Sequence, residues 1–155
     1  MTQDAIVNQT GANESNITQT FNTDGSNTFL ATVTQSNSSN VSTITQEDMG
    51  SGIDSGLTAT VLQSGFDNDA TINQDNKGAT ATVTQSGDVN DAFVDQDGAG
   101  LSANILQDGN NNLADVSQMG GLSSSADIDQ LGDNSSAFVN QNSNARNDTA
   151  IVMQQ

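Results

Sequence analysis

Thirteen glutamines recur along this chain inside one five-residue unit, small–x–(Val/Ile)–x–Gln. They are Gln9, Gln19, Gln35, Gln46, Gln63, Gln74, Gln85, Gln96, Gln107, Gln118, Gln130, Gln141 and Gln154. Val or Ile stands two positions before each, from Val7 and Ile17 to Val139 and Val152. Ala stands four positions before each, except where Ser15 and Ser42 replace it. Such a repeat means one structural unit stacked many times, and it constrains the fold more tightly than local propensity does. Alternation within the unit suits a strand: the small residue, the branched residue and the amide point one way, and the two residues between them the other. Ala59-Thr60-Val61-Leu62-Gln63 and Ala81-Thr82-Val83-Thr84-Gln85 are two such units.

Gln63, Gln74, Gln85, Gln96, Gln107 and Gln118 follow one another at a single spacing. That spacing holds the five-residue unit and a bend of similar length that reverses the chain. Two units then make a coil of about 22 residues, within the range of solenoid repeats. The pattern predicts an all-β fold, a β-solenoid of two strands per coil and about six and a half coils. Its strands form two stacked, parallel, in-register sheets, and one repeat domain spans residues 1–155. The intervals Gln19 to Gln35 and Gln46 to Gln63 are longer and mark inserted loops at about 20–28 and 47–56. Their Gly, Asn, Asp and Ser content reads as loop. Both follow the second strand of a coil, so both are expected to protrude from the same edge.

The bend after the first strand of each coil has its own signature. Gly11, Gly65, Gly87, Gly109 and Gly132 stand two positions after a glutamine, with Asn37 as the exception. Gly and Asn tolerate positive φ at a tight bend. Three positions further on come Asn40, Asn68, Asn90 and Asn112, placed so that stacked copies of one amide hydrogen-bond to each other.

Composition narrows the function. The chain has 19 acidic residues and 2 basic ones, Lys77 and Arg146, for a formal charge of -17. That balance opposes binding to nucleic acid or to an anionic membrane surface. No apolar run is long enough to span a bilayer. No signal peptide is legible ahead of the first unit, and the chain reads as a mature one with an added start. His, Cys, Tyr and Trp are all absent, which removes the usual catalytic bases, thiol nucleophiles, disulfides and aromatic stacking platforms. No enzyme activity and no cofactor are therefore expected. Asn76-Lys77-Gly78 lacks the spacing of a phosphate loop. Asp54-Ser55-Gly56 matches the aspartic protease triplet but occurs once, in an inserted loop, and reads as a turn.

Glu47, Asp75 and Asp97 each follow the second glutamine of consecutive coils. Stacking places them in one column about 4.8 Å apart, and Asp69 and Asp91 form a similar pair. The column is a weak candidate for Ca²⁺, whose ligands are oxygens. The competing reading is a solvated acidic face that limits lateral clumping. Outward Thr32/Thr34, Thr43/Thr45 and Thr82/Thr84 suggest an ice-binding face, but Thr60/Leu62, Asn104/Leu106 and Asp127/Asp129 break the array.

The same residues resemble the curlin repeat, Ser-x5-Gln-x-Gly-x2-Asn-x-Ala-x3-Gln. Gln63-Ser-Gly65-Phe-Asp-Asn68-Asp-Ala70-Thr-Ile-Asn-Gln74 fits it from the first Gln onward, as do the copies at Gln85–Gln96 and Gln107–Gln118. Gln35–Gln46 and Gln130–Gln141 fit with one to three substitutions, and Gln9–Gln19 is one position short. Leu57, Ala79 and Leu101 stand where that family has its leading Ser, and the family's N-terminal targeting segment is missing. The resemblance implies a secreted subunit of an extracellular functional amyloid fibre at the cell surface. Such a fibre builds biofilm matrix and supports adhesion. As partners it implies a nucleator subunit and an outer-membrane secretion machinery.

Leu, Ile, Val and Phe make up only 31 of 155 residues, a composition typical of disordered chains when charge is this high. The repeat runs from Ala5 to Gln154 with no polar cap, and caps are what keep soluble solenoids monomeric. The ends, Ala5, Val7 and Gln9 and then Ala150, Val152 and Gln154, are expected to join copies of the chain head to tail. The monomer is expected to stay mostly disordered until it folds on a fibre end. Thirteen units is an odd count, so the last half coil, Ala150–Gln154, lacks a partner in its own coil. Either the first strand of a following subunit, Ala5–Gln9, completes that layer after a half turn, or the terminal strand frays. The functional alternative is a non-polymerising solenoid with an ice- or Ca²⁺-binding surface.

Overall fold

The computed structural model describes residues 2–21, 28–48, 56–75, 78–142 and 147–155. Lys77, Arg146, Asp54, Ser55 and most of both inserted loops lie outside the described residues. The described residues form thirteen strands: β1 (Thr2–Gln9), β2 (Glu14–Phe21), β3 (Thr28–Ser38), β4 (Val41–Asp48), β5 (Leu57–Phe66), β6 (Asp69–Asp75), β7 (Thr80–Ser86), β8 (Asp91–Ala99), β9 (Ser102–Asp108), β10 (Leu113–Leu122), β11 (Ser125–Gln130), β12 (Ser136–Asn142) and β13 (Thr149–Gln154). Each strand contains one repeat unit. No helix among the described residues is long and apolar enough to cross a membrane.

Odd and even strands separate into two sheets. One has seven strands in the order β1-β3-β5-β7-β9-β11-β13, and the other six in the order β12-β10-β8-β6-β4-β2. Every pairing among the described residues is parallel, and every unit lies over its equivalent. Ala5, Ala31, Ala59, Ala81, Ala103, Ala126 and Ala150 are consecutive partners. So are Ser15, Ser42, Ala70, Ala92, Ala114 and Ala137 in the other sheet. This is the parallel two-sheet solenoid that the repeat predicts. A one-residue slip would turn the whole apolar set outward, so burial of one face fixes the register. Among the described residues the register shifts once, between Met119 and Leu122, where β10 bulges against β8.

The core is a thin column between the sheets, made of the small and branched residues of successive units. Ala31, Val33, Ile44, Val61, Ile72, Val83, Val94, Ile105, Val116 and Ile128 belong to it, and Ile17, Ala150 and Val152 pack against its two ends. Fully burying one Val or Ile stabilises by about 1.5–3 kcal/mol. Few apolar residues suffice because each buried one lies over a like residue in both neighbouring layers.

A second apolar column runs up the bend that joins one coil to the next. Phe29, Leu57, Ala79 and Leu101 are buried there, with Phe21 packed against them. Phe21 and Phe29 stack with ring centroids 4.2 Å apart. Three of these positions, Leu57, Ala79 and Leu101, are the ones at which the chain departs from the curlin pattern, so the departures are the core of this bend.

Candidate functional site: amide ladders and open ends

The inward glutamines form two continuous ladders, one per sheet. Gln9 donates to the side-chain carbonyl of Gln35, which donates to Gln63 at 2.7 Å, Gln63 to Gln85 at 2.8 Å, Gln85 to Gln107 at 2.9 Å, Gln107 to Gln130 at 2.9 Å, and Gln130 to Gln154 at 2.9 Å. The second ladder runs from Gln19 through Gln46, Gln74, Gln96 and Gln118 to Gln141, with distances of 2.7–3.0 Å. From Gln35 to Gln130 these amides are buried. Burial of an amide costs free energy unless its donors are satisfied. In each of these amides except Gln118 the remaining N–H supplies the second bond, reaching across to a backbone carbonyl of the facing sheet. Gln63 donates to the carbonyl of Val41, Gln85 to that of Asp69, and Gln107 to that of Asp91. Each of these glutamines thus ties its layer to the next and one sheet to the other.

The bends between the two strands of a coil carry a third ladder. Asn68 donates through its backbone and side-chain N–H groups to Oδ1 of Asn40, and Asn90 does the same to Asn68. Asn112 continues it with a backbone bond to Asn90. Asn13 also joins it, accepting from Asn40 at 3.0 and 3.1 Å. The bend signature does not mark Asn13, because its bend is one position short. At the far end Ser135 takes over, its backbone N–H donating to Asn112 at 2.9 Å.

These bends place left-handed residues at two positions. Gly11, Asn37, Gly65, Gly87 and Gly109 occupy the first with positive φ, as their spacing predicts. Gly132 does not: its φ lies outside the left-handed range, a correction to the bend expectation. That bend belongs to the last full coil; on its outer side a Cβ at Gly132 would meet only Gln155, so among the described residues no further bend imposes the geometry. At Gly65 a Cβ would collide with the backbone carbonyl of Gly87 in the adjoining layer. The second left-handed position carries no residue signature. Ser39, Asp67, Val89, Asn111 and Asn134 hold it, with φ between 55° and 63°.

The acidic residues stack as their spacing predicts. Glu47 pairs with Asp75 and Asp75 with Asp97, and Asp69 pairs with Asp91. Partial burial, then Asp91, raises the Asp69 carboxyl above its ordinary range. Burial, then Asp97, Asp115 and Asp75, does the same to Asp95. Among the described residues no group of three or more acidic side chains is arranged to hold a metal ion. The outward threonines are broken up too: Thr32, Thr60, Thr82, Asn104 and Asp127 share one column, and Thr34, Leu62, Thr84, Leu106 and Asp129 the next.

Among the described residues, nothing covers the two ends of the column. Val7 is 45% exposed, whereas Val33 one layer in is 0% exposed. All of β1 is exposed, and β13 alternates between exposed and half-buried. Among the described residues, the outer backbone edges of β1 and β2 at one end, and of β12 and β13 at the other, have no strand beside them. The glutamine ladders give these ends opposite chemistry. Every ladder amide donates toward the C-terminal end. Among the described residues, the side-chain carbonyls of Gln9 and Gln19 receive no hydrogen bond. By the same count, Gln141 and Gln154 each keep an N–H beyond the one they give to Ser125 and Ser136.

Stacked units, two parallel sheets and amide ladders define a two-stranded parallel β-solenoid built from repeats. A family model, the curlin associated repeat, matches residues 78–109, 101–132 and 109–142. Comparison with curated proteins and with solved structures gave no match.

Proposed function

We propose that this chain is the structural subunit of a curli-like extracellular fibre, a functional amyloid that grows head to tail by stacking of solenoid ends. The observation that carries this reading is the pair of open, chemically opposite ends. One offers glutamine carbonyls, the other glutamine N–H groups, and both offer unpaired strand edges, which template further strands. Head-to-tail contact satisfies the amides, whereas contact between like ends opposes acceptor to acceptor. Such heterologous contacts do not close and give filaments. The role is structural rather than catalytic, with the chain itself as the main partner. The curlin repeat supports secretion to the cell surface, a contribution to biofilm matrix and adhesion, and dependence on a nucleator subunit and an outer-membrane export machinery.

The test is to incubate purified chain at neutral pH, image it by electron microscopy and collect fibre diffraction. Fibres are expected, with one reflection at about 4.7 Å and another at about 10 Å. A persistently monomeric particle by sedimentation would overturn the reading, and thermal hysteresis in that monomer would replace it with a binding solenoid.

A further inference from the structure

We propose that successive subunits are related by a half turn about the long axis of the solenoid, so that β1 of each copy pairs with β12 of the copy before it and not with β13. The inference rests on the end-to-end stacking argued above and specifies its geometry.

The reason lies in the strand count. β1 and β13 both belong to the seven-stranded sheet, while β2 and β12 end the six-stranded one. Seven strands against six leave the seven-stranded sheet half a layer proud of the other at each end. Without rotation, the proud strands β13 and β1 would meet. The facing edges of β12 and β2 would then be held about 9.6 Å apart, two layer spacings, with an unfilled layer between them. Their backbone N–H and C=O groups would stay unpaired, at a cost comparable to a lost hydrogen bond for each buried group.

A half turn removes the gap. It carries the proud strand of the incoming copy beneath the recessed strand of the first. The two strands of a coil run in opposite directions, because each bend reverses the chain. Rotation by a half turn exchanges the two sheets and reverses direction in the same way, so β1 arrives parallel to β12 and β2 parallel to β13. The in-register rule obeyed by β12 and β13 on their inner edges then sets Ala5 on Ala137, Val7 on Val139 and Gln9 on Gln141. In the other sheet it sets Ser15 on Ala150, Ile17 on Val152 and Gln19 on Gln154. The free N–H groups of Gln141 and Gln154 meet the free carbonyls of Gln9 and Gln19, and both ladders cross the junction unbroken. On the outer face Phe138, 66% exposed, is covered by Ile6, 47% exposed. No carboxylate of β1 or β2 falls opposite a carboxylate of β12 or β13.

Two measurements test the geometry. Helical reconstruction of fibres of the unmodified chain is expected to give a rise of about 31 Å, six and a half layers at about 4.8 Å, with a half-turn rotation. A rise of about 34 Å with little rotation, seven full layers, overturns the proposal. The second measurement uses the absence of native cysteine. A chain carrying Asn8→Cys and Asn140→Cys, assembled and treated with a short bis-maleimide, is expected to give a ladder of covalent multimers. A chain carrying Asn8→Cys and Met153→Cys is expected to give none, because a half turn puts those residues on opposite faces of the solenoid. The reverse result overturns the half turn and leaves head-to-tail stacking intact. Failure of the unmodified chain to form fibres overturns both.

Discussion

Gln85 donates its amide N–H to the side-chain carbonyl of Gln107 at 2.9 Å, and both side chains are completely buried. Gln85 also donates to the backbone carbonyl of Asp69 and accepts from Gln63. Gln85→Leu keeps the volume roughly constant and strands one donor and two acceptors. Each buried unsatisfied group costs about 1–3 kcal/mol, so a loss of about 3 kcal/mol or more is expected. The concentration of chain left soluble at assembly equilibrium should rise at least about 100-fold. An unchanged soluble concentration would show that the ladder contributes nothing net.

Ser42 and Ser15 fill the small position held elsewhere by Ala, and neither hydroxyl has a hydrogen-bond partner. Ser42 is fully buried. Ser42→Ala removes the unsatisfied group and restores the repeat, with an expected gain of about 1 kcal/mol. The denaturant midpoint should move upward; a fall would mean that the hydroxyl is paired.

Val89 is a β-branched residue held at φ 61° on an exposed bend. That conformation costs an L-residue about 1–2 kcal/mol, which Asn largely avoids. Val89→Asn should stabilise by about 1 kcal/mol. The new amide would lie over Asn111, which already donates to Asn134 at 2.7 Å. Denaturant titration of the variant against the parent decides it, and a lower midpoint would count against a strained Val89.

Leu57 anchors the second apolar column, fully buried with Phe29 and Ala79. Leu57→Ala is expected to cost about 2–4 kcal/mol through lost transfer and the cavity left behind. Leu62→Ala makes the control: the same residue type, 44% exposed on the outer face of the same strand. Equal effects in the two variants would remove any special role for the column.

Asp69 and Asp95 hold protons more tightly in the folded state than in the unfolded chain. The folded state therefore binds more protons, and stability falls as pH rises through the raised folded values. The penalty is complete above the raised folded values and gone below the ordinary carboxylate value near 4. The denaturant midpoint should climb as pH drops from 7 to about 4, and less steeply in Asp95→Asn, which no longer opposes Asp97, Asp115 and Asp75. A midpoint that falls over this range would contradict the sign. Added salt should act in the same direction at neutral pH by screening the acidic columns.

The period of the glutamines already determined the strands, the parallel register, the inward set and the stacking of Glu47 on Asp75. A repeat whose copies are nearly identical has one arrangement in which like lies over like, and burial of one face forbids the others. Three further features became visible only in the tertiary structure. Phe29, Leu57, Ala79 and Leu101 look like departures from the repeat until the coil brings them over one another, because each is a full coil away from the next along the chain. Val89 looks like an ordinary bend residue until its φ is known. The direction in which the amides donate, and hence the unlike chemistry of the two ends, depends on which backbone carbonyl each glutamine reaches in the facing sheet. Periodicity sets which residues are neighbours; the folded backbone sets which of their atoms meet.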